Sequence, residues 1–319
     1  MGSRIFVTGA NGRVGLPLIT ALVADGHQVV GLARSEEKAA AVRQLGAECL
    51  VGDLSSTDVV TQGVNNADRI YHLAGGVRGR GTETPDVINN QGTAGLIDAI
   101  SRANTDSLKS VLFTSTCAVY GDRSNLWVPE DMPPTPNTRY GTSKVEAEKA
   151  LLASGLPVKI VRLAAVYGPG FPFMMVERMR AGKGWLPGEG RNYIPTIHIE
   201  DAVSGLRLID EKGKNGEVYH LADQEPMLLK DFYAEVGKLV GGESMRFWST
   251  WIPSYIQRSV ARYNERIQSK INRTPRFTPD NLKLYTNSVR LKVERLEKEL
   301  SFTWKYPDAA SGLAATLQG

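Results

Sequence analysis

Short β-branched and aromatic runs alternate with longer stretches of helical spacing through the first half of the chain. Ile5-Phe6-Val7, Gln28 to Leu32, Cys49-Leu50-Val51, Ile70 to Leu73, Val111-Leu112-Phe113 and Val158 to Val161 read as strands. Between the first two, Arg13 to Ala24 puts Val14, Leu18, Leu22 and Val23 on one side of a helix. Ser35 is placed to cap a helix from Glu36 to Leu45, whose acidic first turn suits the helix dipole. Further helices are expected from about Pro85 to Ala103 and, after the proline-rich loop Pro129 to Pro136, from about Thr138 to Ser154. Strands that hand over to helices in this way need crossovers, and right-handed crossovers give a parallel sheet with helices on both faces. The expected fold is therefore α/β, a Rossmann-type doubly wound parallel sheet.

The second half breaks this rhythm. Prolines and glycines punctuate Gly168 to Gly190, and tryptophans occur at 185, 248, 251 and 304. The expected organisation is a dinucleotide-binding domain over 1–165 and a smaller C-terminal substrate lobe over 166–319. Helix Asp201 to Ile209 and strand Glu217 to Leu221 are expected to bring 194–222 back to the sheet. In Trp248 to Ile271, the residues Ile252, Tyr255, Ile256, Val260, Tyr263, Ile267 and Ile271 recur at helical spacing, with Arg258, Arg262, Arg266 and Lys270 mostly on other faces. A packed helix is the first reading; a lid, a homodimer surface and a membrane-surface helix are the alternatives. A helix is also expected from Val289 to Leu300, packed by Leu291, Val293, Leu296 and Leu300.

Composition narrows the classes. The 319 residues are 42% hydrophobic and 23% charged, ordinary for a soluble globular chain. A net charge of +4, spread along the chain, is too weak a bias to imply nucleic acid. Cys49 and Cys117 sit in apolar runs and are expected as buried free thiols, and no metal-binding spacing occurs. No apolar run approaches the roughly 18 residues of a transmembrane helix, and no leader pattern opens the chain, so a cytoplasmic setting is expected.

The chemistry begins at Thr8-Gly9-Ala10-Asn11-Gly12-Arg13-Val14-Gly15, between the first strand and the first helix. Gly9 permits a tight turn, Gly12 lets the backbone approach a pyrophosphate at the helix N-terminus, and Gly15 lets the helix pack close to the sheet. That pattern implies a nicotinamide dinucleotide. The second strand ends in Ala33-Arg34-Ser35 with no acid to hold a ribose 2′-hydroxyl, whereas Arg34 and Ser35 suit a 2′-phosphate. The expectation is NADP(H) rather than NAD(H). Asp53 is placed either to accept from the adenine amino group or to cap the next helix. Tyr140 and Lys144 share a helix face, so an ammonium stands beside a phenol whose ordinary pKa, about 10, is too high for proton exchange at neutral pH. Hydroxyls at Thr114, Ser115 and Thr116 end the fifth strand, where one can polarise a carbonyl.

Several ordered motifs carry a family resemblance. They are Thr8-Gly9-x-x-Gly12-x-x-Gly15, Asp53-Leu54, His72-Leu73-Ala74, Asn89-x-x-Gly92-Thr93, Ser115-Thr116 before Val119-Tyr120-Gly121, Tyr140-x-x-x-Lys144, Arg162 with Tyr167-Gly168-Pro169-Gly170, and Ile197-His198-x-x-Asp201. Over about residues 4 to 222 the chain resembles the extended short-chain dehydrogenase/reductases, the NAD-dependent epimerase/dehydratase type. The resemblance implies Tyr140 as general acid/base, Lys144 as ribose ligand and pKa modifier, and Thr116 as carbonyl-orienting donor, with Ser115 as its substitute. It adds Asn11, Arg13, Val14, Leu54, Leu73, Ala74, Gly75, Asn89 and Val166 to the cofactor site. His198 is expected as a structural hydrogen-bonder.

Nucleotide-sugar members of the family carry an Asn where this chain has Ala165 and an Arg where it has Ile194, and both help hold a diphosphate. Losing both argues against such a substrate. The chain is closer in character to the dihydroflavonol reductase and hydroxysteroid dehydrogenase type, which bind apolar ketones and alcohols. The loop Gly75 to Gly81, with Gly76 and Val77, then borders the substrate, and Phe171, Phe173, Met174, Met175 and Trp185 are candidate lining residues. The expected activity is reversible NADP(H)-dependent reduction of a ketone or aldehyde. A nucleotide-sugar epimerase or dehydratase with retained NAD and a non-catalytic NADPH sensor are the rivals.

Overall fold

The computed structural model describes residues 2–77, 84–124, 126–170, 173–242, 245–247, 254–270 and 278–317. The N-terminal elements run β1 (Arg4–Thr8), α1 (Gly15–Ala24), β2 (Gln28–Ala33), α2 (Glu36–Arg43), β3 (Glu48–Val51), α3 (Thr57–Val64), β4 (Arg69–His72), α4 (Pro85–Arg102) and β5 (Ser110–Thr116). They continue through the short β6 (Trp127–Val128) to α5 (Arg139–Ala153) and β7 (Val158–Leu163). The later elements are β8 (Ala165–Tyr167), α6 (Phe173–Arg180), β9 (Trp185–Leu186), β10 (Tyr193–Ile194), β11 (Thr196–His198), α7 (Ile199–Lys212), β12 (Val218–Leu221), β13 (Met227–Leu228) and α8 (Leu229–Val240). β14 (Arg246–Phe247), α9 (Ser254–Lys270), α10 (Pro279–Thr286), β15 (Arg290–Leu291) and α11 (Ala309–Leu317) complete them.

Seven strands form one parallel sheet in the order β3-β2-β1-β4-β5-β7-β12. Every residue of β5, an interior strand between β4 and β7, is buried, as expected of a strand covered on both faces. Strand alternation feeds two cores. Ile5 and Val7 point into one with Leu18, Leu112 and Leu206, while Phe6 points into the other with Leu96, Phe113 and Leu151. A third apolar cluster, with Tyr167, Met179, Phe232, Val236 and Leu313, joins α6, α8 and α11 beyond the sheet. The order reverses between β1 and β4, so crossovers leave to opposite sides and a crevice opens at the carboxyl ends of those two strands.

Three expectations change. Val289 to Leu300 is not an α-helix: β15 pairs with β6, and a π-helical turn spans Arg295–Glu299. Leu291, Val293, Leu296 and Leu300 are nevertheless buried, so the packing positions hold while the backbone differs. The packed helix expected after Trp248 appears as α9, but Tyr255, Ile256, Val260, Tyr263 and Ile267 are exposed, so the apolar stripe is not what packs. Trp248, Trp251, Ile252 and Ile271 lie outside the described residues. Both cysteines are free, but Cys117 is only half-buried, in a 3-10 turn rather than in a strand.

Candidate active site

The glycine turn stands at the crevice. Gly9 has φ +68°, and a Cβ there would meet Ala74 N at 2.8 Å. The backbone needs both the left-handed conformation and the close approach, and only glycine supplies both. Gly12 N donates to Gly9 O at 2.9 Å, closing the turn. A Cβ on Gly15 would stand 2.3 Å from Gly9 O, so the third glycine lets α1 start directly on the turn. Val14 is the N-cap of α1 and no side chain caps it, which leaves the helix start suited to an anion.

A cavity of about 340 Å³ opens beside this turn. Gly9, Asn11, Gly12, Arg34, Asp53, Leu54, Leu73, Ala74 and Gly75 line it, nine of the residues expected from sequence. Arg34 is exposed at its edge. Ser35 caps α2, its hydroxyl accepting from Lys38 N at 3.4 Å, and leaves its own proton to donate. Asp53 does not cap the next helix, since Ser56 holds that position. It accepts from Ser55 N at 2.9 Å, and the Ser55 hydroxyl bond holds its carboxyl below the usual range. Arg13 is exposed and Val166 half-buried on β8; neither lines the cavity.

Sequence reasoning missed Val87, Ile88 and Gln91, which line the same cavity from α4. Their signal was available: Val87 and Gln91 are four apart on one helix face, the first just before Asn89-x-x-Gly92 and the second within it. It also gave no role to His72. The His72 ring bridges Thr8 Oγ1 at 2.7 Å and Thr93 Oγ1 at 3.1 Å, while Ala74 N donates to Thr8 Oγ1 at 3.2 Å. The ends of β1 and β4 and the Leu73 to Gly75 backbone are thus tied together. Burial pushes His72 down to about 3, so the ring is neutral and serves as a brace.

Asn89 is buried and does not reach the cavity lining. Its Oδ1 accepts from Gly76 N at 2.8 Å, and its Nδ2 donates to Ser143 Oγ at 2.9 Å and Gly76 O at 3.2 Å. It fixes the loop after β4 against α5. Lys144 lies one residue along α5. Its Nζ donates to Thr114 O at 2.9 Å, and a Cβ on Gly75 would touch it at 2.9 Å. The ammonium therefore stands against Gly75, which lines the cavity. Burial pushes it down to about 8, opposed by Glu148 one turn on.

Thr138 caps α5 by accepting from Gly141 N at 3.0 Å, which sets Tyr140 in the first turn. Tyr140 is half-buried as a residue, but its hydroxyl end meets packed protein and the Thr116 side chain. Burial pushes the phenol up to about 12, and the Thr116 hydrogen bond offsets only part of this. The expected lowering by Lys144 is therefore corrected for the chain alone, because the ammonium is turned toward Thr114 and Gly75. Ser115 is no substitute for Thr116: its buried hydroxyl donates to Glu148. Glu148 also receives Arg162 at 2.8 and 3.1 Å, and Arg162 donates to Tyr120 at 2.6 Å. This buried ion pair locks α5 to β7 behind the site.

The substrate side is less complete. Val77 and Trp185 are exposed, and Gly76 is held by Asn89. Phe171 and the loop residues 78–81 lie outside the described residues, as do the side chains of Phe173, Met174 and Met175. His198 accepts from Glu200 N and pairs with Thr316 at 3.1 Å, the structural bonding expected of it.

Comparison with known proteins fits this geometry. The model of the NAD dependent epimerase/dehydratase family matches residues 5–222. A 4-hydroxy-2-methyl-3-oxo-4-farnesyl-3,4-dihydroquinoline-1-oxide ketoreductase of Stigmatella aurantiaca is 28% identical over 311 residues, 94% of this chain and 91% of that protein. A decarboxylating sterol-4-alpha-carboxylate 3-dehydrogenase of Dictyostelium discoideum is 27% identical over 74% of this chain and 76% of its own. A dTDP-glucose 4,6-dehydratase of Streptomyces venezuelae, solved with NAD, shares the fold with a TM-score of 0.78 at 21% identity, covering 99% of this chain and 96% of its own.

Proposed function

Because the chain belongs to the NAD dependent epimerase/dehydratase family, the extended short-chain dehydrogenase/reductase type, we propose that it is an NADP(H)-dependent oxidoreductase reducing an apolar ketone or aldehyde to its alcohol, reversibly. The observation that carries this reading is the pairing of Thr116 with Tyr140 on the same helix as Lys144, whose ammonium abuts Gly75 in the wall of the cavity beside the glycine turn. The residues fit the cofactor. Gly9, Gly12 and Gly15 close a turn so tight that a Cβ on any of them would press on neighbouring backbone. That keeps the backbone at the uncapped start of α1 open to a pyrophosphate, and Arg34 offers a cation with no acid beside it at the end of β2. Two relatives are named for ketone or sterol redox chemistry, which supports an apolar carbonyl substrate. Ala165 and Ile194 leave out two groups that a nucleotide diphosphate needs.

A bound NADPH would supply hydride chemistry at its nicotinamide, and the positive charge of the oxidised ring would favour the Tyr140 phenolate. Thr116 holds the carbonyl oxygen toward Tyr140. Tyr140 gives that oxygen a proton from its hydroxyl, or takes one from an alcohol in the reverse direction. Lys144, against Gly75, would hold the nicotinamide ribose. The third apolar cluster and α6 form the substrate lobe, with 194–222 belonging to the sheet side.

Tyr140→Phe tests the mechanism. We expect turnover of a ketone panel to fall by at least about a hundredfold, with NADPH binding, read by fluorescence titration, within about twofold of wild type. Retained turnover defeats the proposal.

A further inference from the structure

α9 holds a surface that the cofactor and catalytic residues do not use. Ile256, Val260, Tyr263 and Ile267 fall at i, i+4, i+7 and i+11, one stripe along the helix. All four are exposed, Tyr263 by 68% and Val260 by 44%, and Tyr255 is 69% exposed beside them. A different face anchors the helix. Gln257 and Ala261 are buried, and Gly188 N donates to Gln257 Oε1 at 3.3 Å. The apolar stripe therefore points outward from a helix that is already seated.

The exposed surface has a definite chemistry. Arg262 and Arg266 lie beside the stripe and are exposed, and among the described residues of α9 no exposed carboxylate faces outward with them. Glu265 is half-buried and engaged. Isoleucine and valine in the middle, tyrosines with a polar tip and arginines with long apolar stems make up an interfacial helix, one that buries its apolar face at the headgroup boundary. No helix among the described residues is long and apolar enough to cross a membrane, so contact would be along the surface. A second copy of the chain is a poorer occupant. A two-fold α9 contact would bring Arg262 and Arg266 toward their own counterparts with no acid on that face to pair them.

We propose that α9 docks this protein on an anionic lipid surface. Full-length protein is spun with vesicles of equal parts phosphatidylcholine and phosphatidylglycerol, and with vesicles of phosphatidylcholine alone. We expect pelleting with the anionic vesicles that weakens as salt rises, and much less with the neutral ones. Ile256→Asn, Val260→Asn and Ile267→Asn together replace exposed positions, so the fold, read by melting temperature, should persist while pelleting is lost. Arg262→Gln with Arg266→Gln should weaken anionic binding by about thirtyfold, the factor for two surface cations. No pelleting, equal binding to neutral vesicles, or unchanged binding by either variant overturns the proposal. So does a wild-type dimer that the triple variant splits without vesicle binding by either.

Discussion

At the scale of single residues, identity specified chemistry wherever one side chain sufficed. Arg34 at the end of β2, with no acid beside it, was legible from order alone, and the structure puts it at the cavity edge. Arg34→Ala should weaken NADPH binding by about tenfold to a hundredfold, in keeping with loss of a charge-assisted hydrogen bond, and leave NADH nearly unchanged. Fluorescence titration with both nucleotides checks it, and an equal loss for both would sink the specificity argument. The resemblance pointed to Thr116 ahead of Ser115, but strand alternation alone could not tell which of two neighbouring hydroxyls faces Tyr140. The structure gives Ser115 to Glu148 and Thr116 to Tyr140. The raised Tyr140 phenol was also out of reach of sequence, since its cause is burial by residues distant in the chain.

At the scale of elements, local spacing read well where an element is stabilised by its own turns. The glycine turn is such a case. A Cβ on Gly15 would lie 2.3 Å from Gly9 O and 2.6 Å from Ala10 O, both backbone atoms that cannot step aside. Gly15→Ala should therefore lower NADPH affinity at least about tenfold and cost about 1–3 kcal/mol of stability, the range for overpacking. Cofactor titration and urea unfolding check both, and wild-type affinity would refute the close-packing role. Val289 to Leu300 was misread because its partner is remote. Arg290 pairs with Trp127 and Leu291 with Val128, a contact that no local periodicity records. The stripe on α9 was detected, but periodicity shows that a helix has an apolar face and not what covers it.

At the scale of the whole molecule, buried polar groups connect segments that are far apart in the chain. Asp223, just after β12, is 4% exposed, receives Thr196 Oγ1 at 2.8 Å and donates its own N–H to Thr196 O at 2.7 Å. Burial, reinforced by the Asp201 and Asp308 carboxylates, pushes it up to about 7, against hydrogen bonds from Thr196 and His198. A carboxyl with a raised folded pKa holds its proton in the folded state after the unfolded state has lost it. Its contribution to stability is full below the usual value near 4 and is lost as pH rises through about 7. Asp223→Asn should thus gain on wild type between those limits, by roughly 4 kcal/mol in all. Urea midpoints across that range test it, and a pH-independent difference would show that Asp223 is ionised when folded.

The sequence by itself determined the parallel α/β fold, the glycine turn that opens α1 and the residue types of the site. Those follow from short-range periodicity, from glycine's backbone freedom and from spacings along one strand or helix. Only the tertiary structure turned Ser115 away to Glu148, set Lys144 against Gly75 and brought α4 to complete the cavity. Only it turned the stripe of α9 outward. These depend on packing between elements far apart in the chain, where burial sets a pKa and a neighbour decides which face is covered.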